Sequence, residues 1–174
     1  MDGADLRELD RDSLGDHIDR LYRAAWALCG SPHEAEDLVQ ETFARVLAKP
    51  RFLRGDDDLG YLLRALRNTL VSRERRAARR PRSQPLDETP DITDERSSRM
   101  PEEASEARLV YAAIAALRRE FREALVAVDV AGLSYREAAR ALRVPEGTLT
   151  SRLFRARQEV TRMLEPAKPT QARR

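Results

Sequence analysis

The sequence is poor in the residues that most catalytic and metal sites require. Its 174 residues include one cysteine, Cys29, and two histidines, His17 and His33. A single cysteine excludes an intramolecular disulfide and a zinc site built from several thiolates. We interpret Cys29 as a small apolar core residue rather than a redox group. Because no glycine-rich phosphate loop or nucleophile motif occurs either, we expect no enzymatic activity, no bound metal and no cofactor.

Aromatic residues and glycines are also scarce, at 5% and 7 residues respectively, which argues against a β-sandwich or a β-barrel. No apolar run approaches the length of a membrane span. The first residues are acidic and polar, unlike a signal peptide. These absences predict a cytoplasmic protein without membrane insertion, and a charged fraction of 36% favours a helical, well-solvated one.

Charge alternates along the chain, although the net charge is only +2. The net charge is −6 over residues 1–60, +7 over 61–82, −6 over 83–106 and +7 over 107–174. Two separate basic segments are expected of a chain that contacts nucleic acid in two places. Solvated helix faces that happen to cluster would give the same counts, so charge alone leaves both interpretations open.

Residues 81–106 are predicted to form a flexible linker. The segment holds four prolines, many acidic residues and few apolar ones, so it cannot bury enough surface to offset its ordering entropy. It divides the chain into two small domains, residues 1–80 and 107–166, and residues 167–174 are predicted to be a frayed tail. Apolar residues recur at helical spacing in both domains, which predicts an all-α fold.

Three helices are predicted in the N-terminal domain. An apolar stripe that starts near Leu14 ends at Gly30. The next helix starts after Ser31, whose hydroxyl can cap it in a capping box with Glu34. A polar loop over residues 51–58 then leads to a third, leucine-rich helix whose later turns carry a row of arginines.

Four helices are predicted in the C-terminal domain, and the last two form a helix-turn-helix. A second capping box, Ser134 with Glu137, opens the shorter of these helices, and Pro145 opens the longer one after a turn. The chain therefore has the layout with which many proteins place a helix in the major groove.

The last helix is expected to have one buried and one free face. At about 100° per residue, one face carries Leu149, Leu153, Ala156 and Val160. The opposite face is polar and basic except for Phe154. Such a face can bond base edges and phosphates, with Phe154 against a thymine methyl. The alternative is an ordinary amphipathic helix of a bundle with a solvated arginine face.

Four stretches of the sequence carry specific motifs. Residues 35–43 read AEDLVQETF, Tyr61-Leu62 precedes Arg67-Asn68, and residues 132–139 and 144–157 read GLSYREAA and VPEGTLTSRLFRAR. The first two stretches resemble the second conserved region, and the last two the fourth region, of the extracytoplasmic-function (ECF) class of bacterial RNA polymerase sigma factors. The matches occur in the same order along the chain as in that family, and they lie on both sides of the linker.

This resemblance implies an initiation subunit that binds core RNA polymerase, directs it to specific promoters and helps to open the DNA. Asp37, Gln40 and Glu41 would bind the clamp helices of the largest subunit. Asp37 and Glu41 are spaced i, i+4, so we expect them to share one exposed helix face. The polymerase flap region, promoter DNA and an anti-sigma factor are the other implied partners, and the acidic linker would thread through the polymerase.

The resemblance also implies two DNA-binding surfaces. The helix-turn-helix would read the minus-thirty-five element as duplex, and the third helix would hold an opened strand of the minus-ten element, with the amide of Asn68 against an unstacked base. The duplex-reading residues would be Tyr135, Arg136, Thr148, Thr150, Ser151, Arg152, Phe154, Arg155 and Gln158. The strand-holding residues would be Tyr61, Arg64, Arg67, Asn68, Arg73, Arg75 and Arg76.

Three features depart from this picture. Tyr61 stands where the family usually has a tryptophan, and Thr150 stands where it often has a basic residue. Three consecutive aspartates, residues 56–58, fit poorly beside DNA, so we expect them to face protein or solvent.

A free-standing helix-turn-helix regulator is the alternative function. Such a regulator normally needs a dimerisation surface in order to read two half-sites. The sequence offers no extended apolar heptad for one, and this alternative leaves residues 35–43 unexplained.

Overall fold

A computed structural model of the chain describes residues 6–9, 12–54, 57–79 and 102–165, and this part is mainly helical, which confirms the predicted all-α class. Its α-helices are α1 (Ile18–Cys29), α2 (Pro32–Leu47), α3 (Asp58–Arg79), α4 (Glu102–Ala116), α5 (Arg119–Leu125), α6 (Tyr135–Leu142) and α7 (Glu146–Leu164). Helix α4 begins inside the predicted linker. The rest of that linker and the predicted tail lie outside the described residues. None of the described helices is both long and apolar enough to cross a membrane.

The helix ends of the N-terminal half follow from local sequence. Gly30 ends α1 with a φ of 81°, a left-handed conformation that glycine adopts without a Cβ penalty. The Ser31 hydroxyl accepts a hydrogen bond from the Glu34 N–H at 3.3 Å and caps α2. The structure differs from the prediction before α1, where a 3-10 turn, Asp12–His17, replaces the first turn of the expected helix.

A two-stranded antiparallel ribbon occupies part of the segment that was predicted to be a polar loop. Strand β1 (Leu6–Glu8) pairs with strand β2 (Phe52–Arg54). The prediction was wrong here because three-residue strands are too short to produce the alternation that signals a strand. Arg7 also forms an ion pair with Asp58, which ties the ribbon to the start of α3.

Two of the three consecutive aspartates contact protein, in line with the expectation that they face protein or solvent. Asp57 Oδ1 accepts the Gly60 N–H at 3.0 Å, and a Cβ on Gly60 would lie 2.3 Å from that oxygen, so any other residue here would require the carboxylate to shift. Asp58 is buried and pairs with Arg7. Asp56 lies outside the described residues.

The helix-turn-helix has the predicted local geometry. Ser134 and Glu137 form both bonds of the capping box at the start of α6. Arg143 makes the turn with a φ of 57°, and Pro145 is the N-cap residue of α7. Before α6, the chain leaves α5 through a π turn, Val126–Val130, which the sequence did not predict.

The two halves of the chain share one apolar core. Trp26 of α1 stacks on Tyr111 of α4, with ring centroids 4.3 Å apart and planes inclined by 19°. A Cβ added to Gly30 would meet the Cβ of Ala115 at 3.0 Å, so α4 passes close to the end of α1. Each half alone is near the lower size limit for an independent core. The packing of the two halves against each other gives a larger, common core.

Candidate nucleic-acid interface

Helix α7 separates a buried face from a free face, as its spacing predicted. Leu149, Leu153 and Ala156 are at most 1% exposed, whereas Phe154 is 62% exposed. Val160 is half-buried at the edge of the core. The Phe154 ring follows the buried Leu153 directly and yet stays in water, where it forgoes the hydrophobic stabilisation of burial.

The predicted duplex-reading residues lie together on α6 and α7. Thr148 and Arg152 are half-buried, and the others are exposed, namely Tyr135, Arg136, Thr150, Ser151, Phe154, Arg155 and Gln158. The hydroxyl of Thr150 donates to the Glu146 carbonyl and that of Ser151 to the Thr148 carbonyl, both at 2.9 Å. Both hydroxyl protons are therefore engaged, and these side chains present their lone pairs as acceptors.

Two arginines of α7 differ in their partners. Arg157 donates two hydrogen bonds to Asp129, at 2.9 and 2.7 Å, and this carboxylate raises the pKa of Arg157. Asp129 reaches α7 because it lies on the π turn. Arg155 is exposed and makes no ion pair within the described residues. Asp129 was not singled out in the sequence, since no local pattern shows a contact between distant elements.

Helix α3 carries the predicted strand-holding residues, and two of its arginines contact the C-terminal half. The Arg67 Nε lies 2.8 Å from the Glu123 Oε2. Arg64 donates to the carbonyl oxygens of Ala141 and Arg140 at 3.3 and 3.4 Å. Tyr61 is half-buried against the core. The strand-holding arginines at 64 and 67 are therefore at a contact between the two halves.

Two other arginines of α3 converge on Glu41 of α2. Arg73 and Arg76 lie 2.5 and 2.9 Å from the Glu41 carboxylate, and Arg45 lies 2.5 Å from it. Burial raises the pKa of Glu41, but hydrogen bonds from Arg73 and Arg76 outweigh burial and lower it overall.

This cluster corrects the expectation that Glu41 is exposed, because its side chain is only 26% exposed. Asp37 and Gln40 on the same helix are exposed. The structure thus brings Glu41, predicted to bind polymerase, together with Arg73 and Arg76, predicted to hold DNA.

Asn68 and Arg75 are exposed and line an open cavity of about 460 Å³ between α3 and α5. Its other lining residues include Arg67 and Arg119. Of the three guanidinium groups, those of Arg67 and Arg119 already pair with Glu123, and the exposed Arg75 lines the cavity with Asn68. Sequence reasoning missed Arg119, whose only signal was membership of the basic segment 107–174.

Comparison with known proteins agrees with this geometry. The sigma-70 region 2 model matches residues 14–80, and the sigma-70 region 4 model matches residues 107–160. The chain is 37% identical to the ECF RNA polymerase sigma factor SigE of Mycolicibacterium smegmatis over 83% of this chain and 57% of that protein. It therefore spans little more than half the length of this relative.

Two further matches cover more of the related protein. The probable RNA polymerase sigma-C factor of Mycobacterium bovis is 36% identical over 76% of this chain and 71% of its own length. The solved structure of the sigma factor RpoE from Bartonella quintana, in complex with the anti-sigma factor NepR, has the same fold, with a TM-score of 0.65 and 22% identity over 91% of this chain and 98% of that one. With region 2 and region 4 in order on the two halves of the molecule, the chain belongs to the ECF group of RNA polymerase sigma factors.

Proposed function

We propose that this chain binds core RNA polymerase, directs it to specific promoters and helps to open the promoter DNA, with no catalytic activity of its own. It would do so in the bacterial cytoplasm, where polymerase and promoters meet. The observation that carries the proposal is the free face of α7, where an exposed aromatic ring lies beside an arginine that makes no ion pair with any described residue, in a member of the ECF group.

The helix-turn-helix reads duplex DNA at the minus-thirty-five element. Helix α7 is backed by buried leucines, so its free face is held rigidly, and an α-helix fits the major groove. Arg155 suits a phosphate or a guanine edge, and Phe154 suits a thymine methyl. The N-terminal end of α6, with Tyr135 and Arg136, contacts the adjoining backbone.

Helix α3 holds an opened strand of the minus-ten element. Asn68 is exposed beside the cavity that Arg67, Arg75 and Arg119 line, and its carboxamide can both donate to and accept from an unstacked base. The arginines supply the sequence-independent attraction to the backbone. The strand would therefore run along α3, with one base at Asn68.

The exposed face of α2 binds the polymerase clamp. Asp37 and Gln40 are the residues available for direct contact. Glu41 acts by tying α2 to α3 through its arginine cluster, and so keeps the polymerase-binding and strand-holding helices in register. The flap region is the proposed partner of the C-terminal half. An anti-sigma factor is a proposed regulator, since the related RpoE was crystallised with one.

Reconstitution tests the proposed function. The purified chain is mixed with core RNA polymerase and a promoter library, and the transcripts are sequenced. We expect transcripts that start downstream of a shared pair of promoter elements. Tight binding to DNA alone without stimulation of polymerase would contradict the proposal and favour a free-standing regulator.

Substitution of Asn68 separates opening from recruitment. In Asn68→Ala we expect the fraction of opened promoter to fall about three- to tenfold, the loss of one or two hydrogen bonds, while upstream duplex binding stays unchanged. Permanganate reactivity of unpaired thymines and an upstream footprint measure the two. The matched control is Ser72→Ala in the same cavity. The Ser72 hydroxyl already donates to the main-chain carbonyl of Asn68 at 2.8 Å, so its proton is not available to DNA. A promoter that opens normally in Asn68→Ala would refute this role.

A further inference from the structure

We propose that Asp129 is a specificity-determining residue of the duplex-reading surface. By pairing with Arg157, it keeps one guanidinium beside the free face of α7 away from DNA phosphates, and so lowers the affinity of the chain for DNA that carries no promoter. The inference rests on the proposed role of α7 in reading duplex DNA.

Arg157 lies at the flank of the free face of α7. At about 100° per residue it stands about 60° from Phe154 around the helix axis, and it lines the same open groove as Phe154 and Gln158. Its side chain is 50% exposed. Arginines beside a helix that enters the major groove commonly bond phosphate oxygens. Arg157 would therefore add a phosphate contact if its guanidinium were free.

Asp129 occupies the donors that a phosphate would use. The Arg157 Nε donates to Asp129 Oδ2 at 2.9 Å, and the Nη2 donates to Oδ1 at 2.7 Å. A guanidinium binds phosphate through the same pair of parallel hydrogen bonds. A phosphate would have to displace the carboxylate, and the two anions repel each other. The pair thus removes one basic group from the reading surface.

The same pair contributes little to the stability of the fold. Both of its side chains are partly in water, at 50% and 32% exposure, and ion pairs of this kind stabilise a protein only slightly. Helix α7 is held instead by its apolar face, where Leu149 and Leu153 are at most 1% exposed. The principal effect of Asp129 is therefore on what Arg157 can contact.

The π turn accounts for the position of Asp129. Within it the Ala131 N–H bonds the Val126 carbonyl at 2.8 Å, five residues back instead of the four of an α-helix. Val126 and Ala127 stay buried, while Asp129 reaches α7. Such turns often occur at functional sites, and this one brings a carboxylate to the helix that reads DNA.

Neutralising Arg157 favours promoter DNA over other sequences. On a promoter, base contacts of residues such as Phe154 and Arg155 fix the register of α7. On other DNA the helix is free to settle where most guanidinium groups meet phosphates, since that attraction does not depend on sequence. A freed Arg157 would therefore strengthen binding to non-promoter DNA more than binding to a promoter.

The test compares the full chain with Asp129→Asn, with the double variant Asp129→Asn/Arg157→Ala and with the matched control Glu120→Gln. Glu120 pairs with the exposed Arg118, so the control also loses one negative charge and releases an arginine, but not one on α7. The probe is a fluorescein-labelled pool of short DNA duplexes of random sequence, titrated over a salt series.

We expect Asp129→Asn to steepen the slope of log affinity against log salt by about 0.9, the value for one added phosphate contact, and to bind the pool about five- to tenfold more tightly at about 0.1 M salt. The double variant and the control should keep the native slope. In transcription with core RNA polymerase and the promoter library, Asp129→Asn should give a larger share of transcripts from templates that lack the shared upstream element. Urea unfolding verifies that each variant keeps its fold.

The outcomes distinguish the inference from the proposed function. An unchanged slope in Asp129→Asn would overturn the inference and leave duplex reading in place, provided that the native chain yields promoter-specific transcripts. A steeper slope that persists in the double variant would also overturn it, because the added contact would not be that of Arg157. Loss of binding with unfolding at lower urea in Asp129→Asn would show that the pair only braces the fold. Absence of promoter-specific transcripts from the native chain would overturn the proposed function itself, whatever the slopes.

Discussion

The two basic surfaces of this molecule differ in what their arginines contact. On α7, Arg155 is exposed and has no ion-pair partner in the described part of the chain. On α3, Arg64 and Arg67 meet oxygens of the C-terminal half, and two further arginines share the carboxylate of Glu41. One surface is open to a ligand in the free chain, and the other is mostly engaged by protein.

This difference shows that charge counts do not measure availability. The segments that contain the two surfaces each carry a net charge of +7, and from that value they would be equally ready to bind nucleic acid. Coulomb attraction in water is weak and screened, so what matters is which acceptor already lies against each guanidinium. Arg155 on α7 is open to solvent, whereas Arg64 and Arg67 on α3 already meet oxygens of the C-terminal half.

The largest effect, on the free energy of unfolding, is expected from substitutions that compare the buried face of α7 with its free face. Leu153→Ala removes a buried side chain and should lower the free energy of unfolding by about 2–5 kcal/mol. Phe154→Ala, one residue further on, should change it by no more than about 0.5 kcal/mol while weakening binding to promoter duplex. Urea unfolding and duplex titration of both variants measure this contrast. Similar losses of stability in the two would contradict the facing of α7.

A smaller effect, on the salt dependence of DNA binding, is expected from Arg155 and Arg157, the two arginines of α7 that differ in ion pairing. Arg155→Ala should reduce the slope of log affinity against log salt by about 0.9, the value for one lost phosphate contact. Arg157→Ala should leave the slope unchanged, because Asp129 already holds that guanidinium. Titrations of promoter duplex over a salt series provide the measurement. If both variants lowered the slope equally, ion pairing would not explain which arginines are free.

The smallest effect is expected at the start of α6, where Ser134 and Glu137 form the capping box. Hydrogen bonds from the Ser134 side chain and N–H lower the pKa of Glu137 below its ordinary value of 4.5. A lowered pKa in the folded state means that the carboxylate stabilises the fold fully above about pH 4.5 and loses this effect as the pH falls through the lowered value.

Glu137→Gln should therefore reduce the free energy of unfolding by less than about 1 kcal/mol at neutral pH, and the difference from the native chain should vanish in acid. Unfolding titrations from neutral to acidic pH measure it, with Glu146→Gln as the control on the next helix. A difference that persists unchanged below the lowered pKa would show that the carboxylate charge is not responsible.

The sequence by itself determined most of the helices and several of their ends. Ser31, Ser134 and Glu137 cap helices through bonds to residues three positions away, so the motif contains everything the interaction needs. The buried and free faces of α7 follow from helical periodicity in the same way. The family motifs could also be recognised from the sequence, because region 2 and region 4 are contiguous stretches.

Only the tertiary structure decided which charges meet. The pairing of β1 with β2, the arginine cluster on Glu41 and the contact of Arg67 with Glu123 all join residues far apart in the chain. A guanidinium has the same charge in the sequence whether it faces water, DNA or a carboxylate. Its partner depends on how the helices pack, and for that reason the sequence could locate both basic segments but could not show that several arginines of one of them already contact protein oxygens.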